Sequence, residues 1–211
     1  MRFLIALFAV SALGAQPTLS ISGPPANQKA GTTFTLTVSV SGTGTSGDEA
    51  LQFSLPLSWP VVPATGTAAT SAGKAVTCAQ VGPSYNCIVV GMNSNNLTDG
   101  QLATLAITIP KTAGSGTVPF SLSNLLAAAT DGTGTVNGAP LVAGSPFILS
   151  ITSLCDLNSD GVINAADLAL IVQQAIGSSA CTADLNSDGK CNIQDVQIVG
   201  NAAGSGFCAA K

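Results

Sequence analysis

The chain has 211 residues, with 6 Lys+Arg against 10 Asp+Glu, no histidine, 8% charged residues and 4% aromatics. Without histidine it can build no Ser-His-Asp triad, Cys-His dyad or His-bound zinc site, and six basic residues leave no electrostatic footprint for nucleic acid. A charged fraction so far below the roughly 25% of an average globular domain excludes a coiled coil, while the aliphatic content excludes a disordered chain.

Met1-Arg2 opens the chain, followed by an apolar run over residues 3–10 and small residues up to Ala15. That layout predicts an export signal over residues 1–15, because the run is far shorter than the ~20 residues needed to cross a bilayer. No other segment is apolar for long enough to span a membrane. The expectation is a secreted chain, extracellular or held at the cell surface by a partner. Six cysteines (Cys78, Cys87, Cys155, Cys181, Cys191 and Cys208) agree with export. An even count without a C-x-x-C pair points to disulfides rather than to zinc or thiol-redox chemistry.

From residue 19 to about 152 the hydrophobic period is two. Phe34, Leu36, Val38 and Val40 alternate with hydroxyl residues, as do Leu51, Phe53, Leu55 and Leu57; Leu105, Ile107 and Ile109, then Phe147, Leu149 and Ile151, continue the pattern. Clusters of Gly, Pro, Asn and Ser punctuate the runs. Eight or nine strands with no helical interlude predict an antiparallel β-sandwich of jelly-roll type. Strands over 74–79 and 85–90, joined by a turn at 81–84, place Cys78 opposite Cys87 for a structural bridge. Asp48-Glu49, Asp99 and Asp131 fall in loops or turns, so no acid–base pair for a glycosidase stands out. Trp59 reads either as a sugar-stacking platform or as a ring packed at the sandwich edge. Asn96-Leu97-Thr98 matches a glycosylation acceptor.

After residue 152 the grammar changes to a repeat with a period of 28 residues. Asp156-Leu-Asn158-Ser-Asp160-Gly161-Val162-Ile-Asn164-Ala-Ala-Asp167 aligns with Asp184-Leu-Asn186-Ser-Asp188-Gly189-Lys190-Cys-Asn192-Ile-Gln-Asp195. Each copy leads into apolar residues at helical spacing: Leu168, Ile171, Val172 and Ala175, then Val196, Val199 and Ala203. A hard cation such as Ca²⁺ takes six to eight oxygens, and a twelve-residue loop supplies them from positions 1, 3, 5, 7, 9 and 12, with Gly at 6 for the sharp turn. The ligands expected are Asp156, Asn158, Asp160, the Val162 carbonyl, Asn164 and Asp167 in the first loop. In the second they are Asp184, Asn186, Asp188, the Lys190 carbonyl, Asn192 and Asp195. All six acids after residue 152 fall on these positions; with Lys190 and Lys211 the segment carries −4 without metal and 0 with two Ca²⁺. One Asp-x-Asn-x-Asp-Gly could be an ordinary polar turn. Two in register, each closed by Asp at position 12 ahead of a helix, favour metal.

The loop-then-helix unit, duplicated and with Asp in place of the Glu of an EF-hand, closely resembles the dockerin type I module over roughly residues 154–207. The resemblance implies two Ca²⁺ ions, two antiparallel helices and docking to cohesin domains in extracellular polysaccharide-degrading complexes. Positions 10 and 11, where such modules often carry a partner-contacting Ser-Thr pair, are Ala165-Ala166 and Ile193-Gln194. Gly200, Asn201 and Gly204 weaken the second helix. Helices arranged as in that family would pair Cys155 with Cys208 and Cys181 with Cys191; Cys155–Cys181 with Cys191–Cys208 is the competing connectivity. The sandwich resembles the cohesin fold, related to family 2 and family 3 carbohydrate-binding modules, on strand order and on pieces such as Ala50-Leu-Gln-Phe-Ser-Leu-Pro-Leu57.

The expected organisation is therefore a signal at 1–15, a mainly β, cohesin-like sandwich at 16–152 and a small α-helical dockerin-like module with two calcium loops at 153–211. The expected function is non-catalytic assembly on a cohesin-type domain of another protein or of another copy. The alternative is polysaccharide binding through the sandwich, with Trp59 as the contact. The joint at Thr152-Ser153 is so short that the two parts should lie close together.

Overall fold

The computed structural model describes residues 17–25, 27–43, 48–129 and 140–211. The signal expected over 1–15 and the turn acid Asp131 lie outside the described residues. Strands β1 (Thr18–Ser22), β2 (Gln28–Lys29), β3 (Thr33–Ser41), β4 (Asp48–Leu55) and β5 (Val61–Thr65) precede a short helix α1 (Thr67–Ser71). Strands β6 (Ala75–Val81), β7 (Ser84–Val90), β8 (Gly100–Thr108), β9 (Gly116–Phe120), β10 (Ser123–Ala129), β11 (Val142–Ala143) and β12 (Phe147–Thr152) follow. Helices α2 (Ala165–Ala175) and α3 (Ile193–Ser205) close the order.

The strands form sheets in the orders β11-β1-β3-β8-β5, β10-β4-β7-β6 and β2-β12-β9. Pairing is antiparallel except for two short parallel contacts, β1 with β11 and β12 with β2. The period-two reading of β3 holds residue by residue, because Phe34, Leu36, Val38 and Val40 all turn into the core. They meet Leu51, Phe53 and Leu55 of β4 and Leu102, Leu105 and Ile107 of β8 in one cluster. Each such side chain contributes about 1.5–3 kcal/mol on leaving water. Pro63 and Pro119 sit on β5 and β9, at the edges of their sheets, where a missing N–H breaks no ladder. Cys78 and Cys87 are directly paired on β6 and β7 and are bonded to each other.

Three expectations need correction. The sandwich does contain a helical interlude. Ala68, Ala69 and Ala72 bury small side chains beside β8, and the Gly66 N–H donates to the Leu102 carbonyl. Asp48 and Glu49 begin β4 instead of lying in a loop. In the helices, Val172 is exposed and Ala203 faces water, while Ile171, Val199 and Ala202 form the buried side. Gly200, Asn201 and Gly204 nevertheless lie within α3, which ends at Gly206 in the left-handed conformation (φ 72°). Packing of Val199 and Ala202 outweighs the local propensity cost of about 1 kcal/mol per glycine.

The helical segment has its own small core of Cys155, Ile171, Ala183, Leu185, Val199, Ala202, Cys208 and Ala210. Cys155 is bonded to Cys208 and Cys181 to Cys191, the first of the two connectivities. Leu154 packs against both this core and that of the sandwich, so the two parts touch at their joint. Among the described residues, no helix is long and apolar enough to cross a membrane.

Candidate metal centre and docking surfaces

Both repeat loops fold through the same hydrogen bonds. In the first, Asp156 accepts from the Asp160 N–H at Oδ1 (3.2 Å) and from the Gly161 N–H at Oδ2 (3.0 Å). Asn158 Oδ1 accepts from the Asp160 N–H (3.1 Å), and Asp160 Oδ1 from the Val162 N–H (2.9 Å). The second loop repeats each bond: Asp188 N–H to Asp184 (3.1 Å), Gly189 N–H to Asp184 (2.7 Å), Asp188 N–H to Asn186 (3.0 Å) and Lys190 N–H to Asp188 (2.9 Å). Two left-handed residues per loop make this winding possible. Ser159 and Ser187 have φ of 59° and 61°, and Gly161 and Gly189 have φ of 92° and 84°. The left-handed region is costly for a residue with a Cβ and free for glycine, hence Gly at position 6.

The winding gathers side-chain oxygens at one end of each loop. Asn158 Nδ2 donates to Asp160 Oδ2 at 2.8 Å, and Asn186 Nδ2 to Asp188 Oδ2 at 3.0 Å. Asn164 Nδ2 reaches the Val162 carbonyl (3.3 Å), and Asn192 Nδ2 reaches Asp188 Oδ2 (3.1 Å). The Val162 N–H, then the Asn158 amide, hold the Asp160 carboxyl below the usual carboxylate range. For Asp188 the Asn186 amide is the largest cause of the same lowering. Both groups are therefore acceptor-only carboxylates at neutral pH.

Position 12 does something the sequence pattern did not announce. Asp167 Oδ1 accepts from the N–H groups of Leu157 (2.7 Å) and Asn158 (3.2 Å), and its Oδ2 from that of Asn164 (2.9 Å). Asp195 takes the matching bonds from Leu185 (2.8 Å), Asn186 (3.3 Å) and Asn192 (2.9 Å). Both carboxylates are fully buried. Asn164 and Asn192 in return cap α2 and α3, so each loop is welded to its helix by a capping box. Three of about four lone-pair directions of each position-12 carboxylate are thereby filled, leaving one. Among the described residues, no three acidic side chains converge as a ready cluster. The donor set remains all oxygen, the position-1 and position-5 carboxylates with amide and backbone carbonyls in each loop, which is the chemistry of a hard cation.

Two uncharged, largely apolar surfaces face solvent. On the outer side of the β10-β4-β7-β6 sheet, Leu126 lies opposite Gln52, and Gln52 opposite Ile88. Leu126 is 61% exposed, and Ile88 and Val90 42% each; with Ala50 and Ala128 they line a shallow trough of about 330 Å³. On the helical segment, Ala165, Ala166 and Ile176 of the first repeat and Ile193 and Gln194 of the second are exposed. Trp59 is partly buried. It packs on the sandwich core with its ring edge-on to Phe120, centroids 6.2 Å apart.

Residues 154–202 match the family model of the dockerin type I domain. Dockerin domains typically bind calcium and, like cohesin modules, are non-catalytic assembly domains. The sandwich is similar to the cohesin module of a family 33 glycoside hydrolase from Clostridium perfringens ATCC13124, with TM-score 0.52, 13% identity, and 65% of this chain and 98% of that one covered. It is also similar to a chain of the Coh-OlpA-Doc918 type I cohesin–dockerin complex from Clostridium thermocellum ATTC 27405 (TM-score 0.51, 15% identity, 64% and 99% covered). A third likeness is the type II cohesin A11 of Bacteroides cellulosolvens (TM-score 0.52, 13% identity, 64% and 99% covered). At such identities the likeness shows the fold: a mainly β, cohesin-like sandwich followed by a segment carrying the dockerin type I signature. No curated protein sequence matches the chain.

Proposed function

We propose that this protein is an exported, non-catalytic assembly component. Its dockerin-like module, over residues 153–211, binds two calcium ions and docks on a cohesin-type domain of another protein or of a second copy, in an extracellular polysaccharide-related complex. The observation that carries the reading is that the two loops share the same winding bonds at positions 1, 3, 5 and 12, the position-1 carboxylate accepting from the N–H groups of positions 5 and 6 in each. Asp156, Asn158, Asp160, the Val162 carbonyl, Asn164 and Asp167 would hold one ion. Asp184, Asn186, Asp188, the Lys190 carbonyl, Asn192 and Asp195 would hold the other. Asp167 and Asp195 contribute through their remaining lone pair, and mainly order the loop. Calcium supplies +2 at each loop, relieving the repulsion among its carboxylates and fixing the helix N-termini.

A sandwich at residues 16–152 fits a structural or receiving role, since no pair of its few acids stands out in the sequence as an acid–base pair. The exposed helix residues Ala165-Ala166, Ile193-Gln194 and Ile176 are uncharged and mostly apolar, as is the trough of Ile88, Val90 and Leu126. Two such surfaces, one per module, support head-to-tail association of copies, a contact that need not close into a ring. Size-exclusion chromatography with and without calcium is the test. Calcium-dependent oligomers, or calcium-dependent capture of a cohesin, support the reading. A chain that stays monomeric and captures no cohesin at saturating calcium contradicts it. The polysaccharide reading rests on Trp59, and retention on an insoluble glycan that is lost on Trp59→Ala would restore it.

A further inference from the structure

We propose that Ser115 of the sandwich completes the first calcium site and not the second, so that occupancy of that site is coupled to the seating of the helical module on its own sandwich. Ser115 lies in the turn between β8 and β9. Its Oγ is 3.0 Å from Asp156 Oδ2 and 3.0 Å from the Ser153 N–H. The amide can only donate, so it takes a lone pair of the hydroxyl and aims the hydroxyl proton at Asp156. Ser153 is itself fully buried, and its own Oγ accepts from the Cys155 N–H (3.3 Å). The Ser115–Ser153–Cys155 chain thus runs from the sandwich turn to the disulfide that anchors the module.

The two loops differ at this point. Asp156 is 1% exposed beneath the sandwich. It carries three hydrogen bonds, from Asp160, Gly161 and Ser115. Among the described residues, the bonds to Asp184 come from Asp188 and Gly189 alone, and Asp184 is more open to solvent. A carboxylate held at three of its lone-pair directions keeps one orientation for a cation, whereas one held at two can swing. Partners of this outer kind typically alter metal affinity by 10–100-fold when removed. Linkage is reciprocal, so calcium in the first loop must tighten the contact with the sandwich by the same factor that the contact tightens calcium.

This inference rests on the calcium reading above, and the test separates the two. The full-length chain is titrated calorimetrically with calcium alone in two backgrounds: Asp188→Ala, which leaves the first loop, and Asp160→Ala, which leaves the second. Adding Ser115→Ala should weaken the first-loop isotherm by roughly tenfold or more and leave the second-loop isotherm unchanged. Ser115→Thr keeps the hydroxyl beside an open space of about 220 Å³ bordered by Ser115, Gly161, Val162 and Gly206; it should restore first-loop affinity. Equal affinity with and without Ser115→Ala overturns the inference, as does a loss at both loops or failure of the Thr variant to rescue. If the unsubstituted chain takes up no calcium at all, it is the calcium reading that falls.

Discussion

Removing the Cys155–Cys208 bridge by Cys155→Ala with Cys208→Ala tests how the helical module is held together. Only Ile171, Leu185 and Val199 are large, fully enclosed aliphatic side chains in its core, supplying roughly 5–9 kcal/mol of apolar burial between them. The bridge closes a loop with a sequence separation of 53, and restricting a loop of that length in the unfolded chain is worth about 4 kcal/mol. One crosslink is therefore of the same order as the burial of these three side chains together. The double variant should lose about that much unfolding free energy in the module and nothing in the sandwich. Urea titration at saturating calcium resolves the two. Helical circular dichroism follows α2 and α3, and fluorescence of the single tryptophan, Trp59, follows the sandwich. An unmoved helical transition would refute the entropy argument, and a Trp59 transition shifted by the same amount would show that both parts unfold as one unit.

Chelation of calcium should loosen the same module selectively; at a thousandfold excess over the dissociation constant each ion contributes about 4 kcal/mol. The check is loss of helical signal and faster proteolysis after residue 152, with Trp59 fluorescence unchanged. Asp99→Ala should destabilise the sandwich by about 1 kcal/mol at neutral pH. Its carboxylate accepts from the Thr43 hydroxyl (2.7 Å), the Thr43 N–H (2.8 Å) and the Gly42 N–H (3.0 Å), but solvent exposure discounts the usual value of such bonds. Those donors, the Thr43 hydroxyl first, lower its folded-state pKa from 3.8. Its contribution is therefore complete above that value and lost as pH falls through the lower folded value, so the gap between variant and parent in thermal melts should close in strong acid. Leu126→Asp, on the exposed sheet face, should change stability by no more than about 0.5 kcal/mol. It should nevertheless abolish any calcium-dependent oligomer seen by size-exclusion chromatography.

What the sequence revealed and concealed divides along local and non-local lines. The strand faces of β3 and β4 were legible because their signal repeats every two residues, and the twin loops because a twelve-residue pattern recurs at a spacing of 28. Helix α1 was not, since Ala68, Ala69 and Ala72 carry too little side chain to mark a helical stripe, and only contact with β8 makes them core. The run Leu170-Ile171-Val172 offers three adjacent apolar residues, and which of them turns inward is decided by the facing Val199. Asp99 reaches Gly42 and Thr43 across more than fifty residues of chain, and Ser115 reaches Asp156 across about forty. No local pattern marks such partners. The double role of Asp167 and Asp195 as caps could have been read from Asn-x-x-Asp at each helix start, a capping-box spacing hidden inside the metal motif.

Everything in the docking proposal depends on two oxygen-lined loops each holding a calcium ion. Isothermal titration of the full-length chain, first stripped of divalent ions, measures this directly. The expected result is two calcium ions per chain with helical signal gained on binding. No heat, no gain of helix and no ion retained at millimolar calcium would contradict it.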